Sequence, residues 1–261
     1  MNIKALFFDI DGTLVSFTTH QIPSSTVEAL REARRRGVKI FISTGRPPQI
    51  INNIGAIEDL IDGMVTVNGA LSFVGDKVVA SEAIPPEAVH RVIKATDELD
   101  VPCAVIGPRE LALYNPKEYA VEIFNNMLAV PDIGQNNDPA PVLAGPVLQL
   151  TPFITEDEES EVLPMLSGVE TGRWCHYFMD ITAMGVNKAR GMEAVARYCG
   201  FSLKDSMGFG DGGNDISMLE AAGIGVAMGN ANDNVKAHAD YATTSVDDNG
   251  VANALRHFGV I

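Results

Sequence analysis

Residues 3–14 read IKALFFDIDGTL. The unbroken apolar run from Ala5 to Phe8 suits a strand covered on both faces, and such strands belong to parallel sheets with helices above and below. The run stops on Asp9, and a single isoleucine separates that carboxylate from a second, Asp11. Two like charges about 4 Å apart repel by roughly 4 kcal/mol at an effective dielectric of 20. A buried strand with this ending needs a compensating positive charge, either from elsewhere in the chain or from a bound ion.

The next segments repeat the theme. SSTVEALREARRRG (24–37) predicts a helix, with Ser25 and Glu28 as a capping box, Val27, Leu30 and Ala33 on one face, and Gly37 as its stop. VKIFIST (38–44) is a second buried strand ending in Thr44-Gly45-Arg46. Pro47 and Pro48 then suit the first turn of another helix, and GMVTVNG (63–69) gives a third strand. Strand, helix, strand, helix, strand with short links predicts an α/β fold, a doubly wound parallel (Rossmann-like) sheet.

After a hairpin at LSFVGDKVVAS (71–81) the pattern changes to short strands mixed with helices at 85–99 and 116–129. A turn-rich stretch, PDIGQNNDPAPVLAGP (131–146), reads as a loop, and RWCHYFMDI (173–181) as a strand. From Gly185 the α/β alternation returns. The expected organisation is a catalytic core of residues 1–82 and 182–261, with an inserted α+β cap domain over 83–181.

Composition narrows the function. The chain has 261 residues and a formal charge of −15, so polyanionic partners are disfavoured and no nucleic-acid binding is expected. The only basic cluster, Arg34-Arg35-Arg36, ends a predicted helix, where cations suit the dipole. Cys103, Cys175 and Cys199 lie far apart with no CxxC, and the five histidines form no metal-binding pair, so zinc and disulfides are not expected and a reducing cytoplasm is. No apolar stretch approaches the about 18 residues of a membrane span. The short N-terminal run meets Asp9 too early for a signal peptide. A cytoplasmic monomer is expected.

In a doubly wound sheet, ligands bind beyond the carboxyl ends of the strands. Four such ends carry polar signatures: FFDIDGT (7–13), FISTGR (41–46), GVNKARG (185–191) and MGFGDGGND (207–215). Together they gather Asp9, Asp11, Thr44, Arg46, Lys188, Asp211, Asn214 and Asp215. Several carboxylates at one mouth, with no His/Cys cluster, ask for a hard cation with oxygen ligands, and Mg2+ fits. The cation would offset the repulsion at Asp9 and Asp11. Each motif alone has a plainer reading, since Asp-Gly is an ordinary turn and Ser/Thr-Gly often closes a strand; their order on successive strand ends carries the argument. Gly208–Gly213 also matches the dinucleotide fingerprint GxGxxG. Asp211 lies inside that loop and Asp215 follows it, where a pyrophosphate needs donors free of negative charge.

FFDIDGTL, ISTGR, GVNKARG and GFGDGGNDISML resemble, in order and spacing, the four motifs of the haloacid dehalogenase superfamily. The insert between the second and third motifs resembles that of the Cof-like sugar-phosphate phosphatases with a type IIB cap. The resemblance implies a phosphatase in which Asp9 is the nucleophile and Asp11 the general acid/base. It implies that Thr44 and Lys188 hold the phosphoryl oxygens, that Asn214 contacts the phosphate, and that Asp9, Asp211 and the backbone carbonyl of Asp11 bind Mg2+. Asp215 would support the metal shell and Lys188. Gly45 and Arg46 join the substrate-binding loop, with Arg46 either structural or turned toward the substrate. An aspartate at position 9 favours phosphoryl transfer over dehalogenation.

Substrate choice is less legible. The insert holds five Lys/Arg against sixteen Asp/Glu, a net −11, which would repel bisphosphates and carboxylated substrates. A neutral, hydroxyl-rich leaving group such as a hexose fits better. A phosphosugar mutase and a pyridoxal-phosphate phosphatase are the neighbouring activities. A phospho-acceptor receiver or non-catalytic sugar-phosphate binder is the alternative from another class, disfavoured by the presence of both Asp11 and Lys188. Trp174, the single tryptophan, is expected in the insert's last strand, where it could report cap motion.

Overall fold

The computed structural model describes residues 3–128, 138–173 and 176–261. They form two compact units. One runs to Arg46 and includes Ile51–Ala80 and Asn187–Ile261; the other comprises Pro47–Ile50 and Ser81–Val186.

The first unit is built on an eight-stranded sheet, in the order Tyr241–Ala242, Ile224–Ala227, Ser206–Gly210, Ala5–Phe8, Lys39–Ser43, Gly63–Thr66, Leu71–Val74 and Lys77–Ser81. The first six strands are mutually parallel, and Leu71–Val74 runs antiparallel to Gly63–Thr66. Ala5–Phe8 is central, pairing Phe8 with Phe209 on one side and Ile42 on the other. The chain winds outward from it in both directions, so the strand order reverses between Ala5–Phe8 and Ser206–Gly210. Asp9 and Asp211 leave the sheet at that switch point, where doubly wound folds bind ligands.

Side chains alternate across the sheet, and both faces are covered. Leu6, Phe8, Ile40, Ile42, Met207 and Phe209 pack with Leu30 and Ala33 of the helix Ser24–Arg35 and with Leu255 of Gly250–His257. Ala5, Phe7, Phe41 and Val65 pack with Met192 and Val195 of Lys188–Cys199 and Met218 of Ile216–Ala221. Stacked rings, Phe8 on Phe209 and Phe7 on Phe41, tie adjacent strands together. Two-sided burial is the physical reason the first strand reads as a continuous apolar run.

The capping box of Ser25 and Glu28 does not form: Pro23 takes the N-cap position, the helix starts at Ser24, and Ser25 falls inside the first turn, its buried hydroxyl without a partner among the described residues. Pro47 and Pro48 do not open an α-helix; the crossover is made by 3-10 turns, Pro48–Ile50 and Gly55–Leu60. The stretch 131–146 is not all loop, since Pro139–Ala144 is helical, with Asp138 capping it by accepting from the Ala140 amide at 2.9 Å. Arg34, at the helix end, donates to Leu60 O and Asp62, and Arg35 and Arg36 pair with Glu32.

The second unit contains an antiparallel five-stranded sheet, in the order Leu111–Tyr114, Cys103–Ile106, Gln149–Pro152, Asp180–Ala183 and Val169–Gly172. The helix Pro86–Glu98 supplies Ala88, Val89 and Val92 to its core, and Phe124 of Glu118–Leu128 packs on Phe153 and Phe178. The expected strand 173–181 is interrupted: one strand ends at Gly172 and the next begins at Asp180. Trp174 and Cys175 lie outside the described residues. No helix of the described residues is long and apolar enough to cross a membrane.

Candidate active site

At the carboxyl end of the central strand, the Asp9 amide still donates to Phe209 O at 2.9 Å, so the sheet ladder fixes its backbone. The side chain meets Lys188, whose Nζ donates to Asp9 Oδ1 at 2.7 Å and to Asp215 Oδ1 at 2.6 Å. Lys188 is fully buried. It opens the helix Lys188–Cys199, whose N-cap Asn187 accepts from the Arg190 amide at 3.0 Å, so the ammonium is aimed by a capped helix start rather than by a flexible loop. Asp215 Oδ2 in turn accepts from the backbone amides of Asp211 and Gly212 at 3.0 and 2.9 Å. Both oxygens of Asp215 are thus committed, one to the lysine and one to the loop that carries Asp211.

One ammonium cannot neutralise this cluster. Single carboxylate oxygens of Asp9, Asp211 and Asp215 lie within 4.8 Å of one another. Burial raises the Asp9 carboxyl well above the usual range; Lys188 opposes the rise, while Asp215, Asp211 and Asp11 reinforce it. Burial and the neighbouring Asp215 push Asp211 up to about 7, against the Thr13 hydrogen bond and Lys188. Burial pulls the Lys188 ammonium down, but Asp215 and Asp9 more than offset it and hold the proton firmly. Protein charges alone therefore leave Asp9 and Asp211 favouring protons. An all-oxygen set with surplus negative charge fits a divalent cation. Asp9 and Asp211 are the members suited to hold it, because Asp215 is already engaged.

Asp11 sits apart from that triad. Arg46 Nε donates to its Oδ2 at 2.7 Å and Nη2 to its Oδ1 at 3.0 Å, with Asn53 Nδ2 adding a third donor at 3.2 Å. Between the two aspartates and Asp211, Gly12 has φ +85°, and a Cβ there would overlap the Asp211 carboxylate. The Thr13 hydroxyl donates to Asp211 Oδ1 at 2.9 Å. Asn230 Nδ2 donates to Gly12 O at 2.9 Å and to Asp211 Oδ2 at 3.2 Å.

The second motif closes the other side. Thr44, nearly buried, accepts at its hydroxyl from the Arg46 amide at 3.1 Å. Asn214 Nδ2 donates to Asn68 Oδ1 at 3.0 Å, and an added Cβ on Gly45 would stand 3.4 Å from that same nitrogen. The structure thus gathers Asp9, Lys188, Asp211 and Asp215 in one network, Asp11 with Arg46 in a second, and Thr44 and Gly45 beside Asn214 in a third. Thr13, Asn53, Asn68 and Asn230 are the residues that the motif reading missed. Thr13 and Asn230 carried a usable signal, one following Asp-Gly and the other two residues beyond the apolar strand end IGVAM (224–228). Asn53 carried none.

The sequence profile of the haloacid dehalogenase-like hydrolases matches residues 6–255. The chain is 31% identical to the putative phosphatase YkrA of Bacillus subtilis, covering all of both chains. It is 30% identical to the 5-amino-6-(5-phospho-D-ribitylamino)uracil phosphatase YcsE of the same organism, over 99% of this chain and 96% of that one. Among solved structures, one described as the HAD subclass IIB sugar phosphatase BT4131 superposes with a TM-score of 0.93 at 49% identity, covering 99% of this chain and 100% of that one.

Proposed function

The chain belongs to the haloacid dehalogenase-like hydrolases, and from that premise we propose that this phosphoric monoester hydrolase is a Mg2+-dependent phosphatase of hexose and related sugar phosphates, working through an aspartyl phosphate on Asp9. The observation that carries the reading is the buried bridge from Asp9 through Lys188 to Asp215, with Asp211 within reach of the same oxygens. Phosphoryl transfer asks a protein for positioning and charge neutralisation, and both are built into this cluster.

In the first half-reaction an oxygen of the Asp9 carboxylate attacks phosphorus and the bond to the leaving oxygen breaks. Asp11, as the carboxylic acid, gives its proton to the departing alkoxide. In the second, the Asp11 carboxylate takes a proton from water, the water oxygen attacks phosphorus, and the Asp9 carboxylate is released with inorganic phosphate. Lys188 and the Thr44 hydroxyl hold phosphoryl oxygens, and the Asn214 amide adds a further donor. Asp9, Asp211 and the carbonyl of Asp11 would hold Mg2+, which would supply charge neutralisation at the phosphoryl group and let Asp9 remain an anion.

The substrate class follows from the insert's net charge of −11, which favours neutral, hydroxyl-bearing leaving groups over bisphosphates. The structural relative described as a sugar phosphatase supports the same class. The unpaired thiols Cys103 and Cys199 suit the cytoplasmic setting we assign.

Turnover of a panel of hexose, pentose and polyol phosphates, pyridoxal phosphate and a sugar bisphosphate, with Mg2+, tests this. The highest kcat/KM is expected on hexose monophosphates, with free phosphate as product. A preference for pyridoxal phosphate or the bisphosphate would refute the sugar assignment, and movement of phosphate between sugar positions without release would make the protein a mutase. The ribitylaminouracil phosphate named for the relative YcsE belongs in the panel as a polyol phosphate.

A further inference from the structure

Outside the four strand-end motifs, the most unusual backbone near the site is at Val67–Gly69. Val67 and Asn68 have φ of 54° and 52°, and Gly69 follows at 102°. A β-branched residue in the left-handed region is a genuine outlier, and Val67 is fully buried. Such a run persists only where its surroundings over-determine it.

The surroundings here are three of the four motifs. The Val67 amide donates to Arg46 O at 3.2 Å and the Asn68 amide to Thr44 O at 3.1 Å. Gly69 lies so close to the start of the Lys188 helix that a Cβ on it would overlap Asn187 O. The Thr66 hydroxyl closes the turn from within, donating to Leu71 O at 3.0 Å. The Asn68 side chain meets the fourth motif through Asn214, and a Cβ on Gly45 would stand 3.0 Å from Asn68 Oδ1.

We infer that Asn68 is a positioning residue for phosphoryl binding, which fixes the Asn214 amide with its N–H side toward the Thr44–Gly45 loop. A primary amide presents two donors on one end and an acceptor on the other. Rotated by half a turn, Asn214 would offer its carbonyl oxygen to an anionic phosphoryl group and repel it. Asn68 Oδ1 accepts one Asn214 hydrogen, so rotating Asn214 alone would set two carbonyl oxygens face to face; this opposes the rotation and leaves the second hydrogen for the ligand. The strained turn holds the acceptor there, between the Thr44 loop and the Lys188 helix. The inference rests on the functional reading above, in that Asn214 is the phosphate contact.

Asn68→Gly is the informative variant, because glycine takes a positive φ freely and only the amide is lost. Wild type, Asn68→Gly, Asn214→Ala and the double variant would be compared for kcat, KM and inhibition by inorganic phosphate in Mg2+, with circular dichroism and Tm as fold controls. Asn68→Gly should raise KM and the phosphate inhibition constant about tenfold, the scale of one hydrogen bond to a charged ligand, at unchanged circular dichroism. The double variant should be no weaker than Asn214→Ala alone, because the two residues act as one unit. A wild-type inhibition constant in Asn68→Gly, or losses that multiply in the double variant, would overturn the inference while leaving the phosphatase intact. A wild type with no Mg2+-supported turnover would overturn the functional reading first, and this inference with it.

Discussion

Arg46 grips Asp11 with both arms of its guanidinium, Nε on one carboxylate oxygen at 2.7 Å and Nη2 on the other at 3.0 Å. The arginine is largely buried, while Asp11 keeps 30% of its side chain exposed. The motif reading left Arg46 either structural or turned toward the substrate; from this pairing we propose that it orients Asp11, the proposed general acid/base. A fork of this kind depends on planar, bidentate geometry that an ammonium cannot reproduce. Arg46→Ala should lower kcat by about tenfold to a hundredfold, and Arg46→Lys should recover little of the loss. Full activity in Arg46→Lys would show that only the charge matters.

Lys188 is the sole cation between two buried carboxylates in the network described here. Its removal leaves Asp9 and Asp215 facing each other unneutralised. In metal-free protein near neutral pH, Lys188→Met should lose about 3–5 kcal/mol of stability, measured by urea unfolding, and all turnover. The stability loss should shrink as pH falls, because protonation of Asp9 removes the charge that Lys188 no longer answers. A loss independent of pH would mean that packing, not charge, sets the cost.

A divalent cation held at Asp211, as proposed, would compete with the proton there. The Asp211 pKa of about 7 lies above the ordinary value of 3.8, so between those limits the folded state holds a proton that the unfolded chain has released. The stability from that proton is fully present below about pH 4 and is lost as pH rises through about 7. Mg2+ bound to that carboxylate would expel the proton. The rise in Tm produced by Mg2+ should therefore be small near about pH 5 and grow toward about pH 8. A shift of equal size across that range would contradict the placement of the cation at Asp211. Calcium, with its larger and looser shell, should bind and inhibit.

The central sheet and the first, second and fourth motifs were legible because each of those motifs follows a strand of that sheet that is buried and stops at a polar residue. Ala5–Phe8 before Asp9 and Ser206–Gly210 before Asp211 are the clearest. The third motif instead follows Asp180–Ala183, a strand of the other sheet, and was wrongly counted as a strand end of the core. Lys188 was legible for a different reason: alone it reads as an ordinary lysine at a helix start, and only its place in the motif order tied it to the aspartates. The supporting amides were harder. Asn68 sits in an Asn-Gly pair that reads as an ordinary turn, and nothing local reveals that Val67 is strained or that Asn214 waits opposite, 146 residues further along. The missed helix Pro139–Ala144 shows the reverse error. Its two prolines and flanking Gly145 look like loop, yet Pro139 begins the helix after the Asp138 cap and so takes the position that tolerates proline.

The covalent role of Asp9 is the claim on which the rest depends. Its most direct test is to quench the enzyme during turnover of a phosphomonoester with Mg2+, trap any acyl phosphate with borohydride, and map the modified peptide by mass spectrometry. The account predicts modification at Asp9 alone, absent from Asp9→Asn, which should be folded and inactive. An enzyme that turns over with no trapped residue, modification at Asp11 or Asp211 in its place, or substantial activity in Asp9→Asn shown free of deamidation, would contradict it.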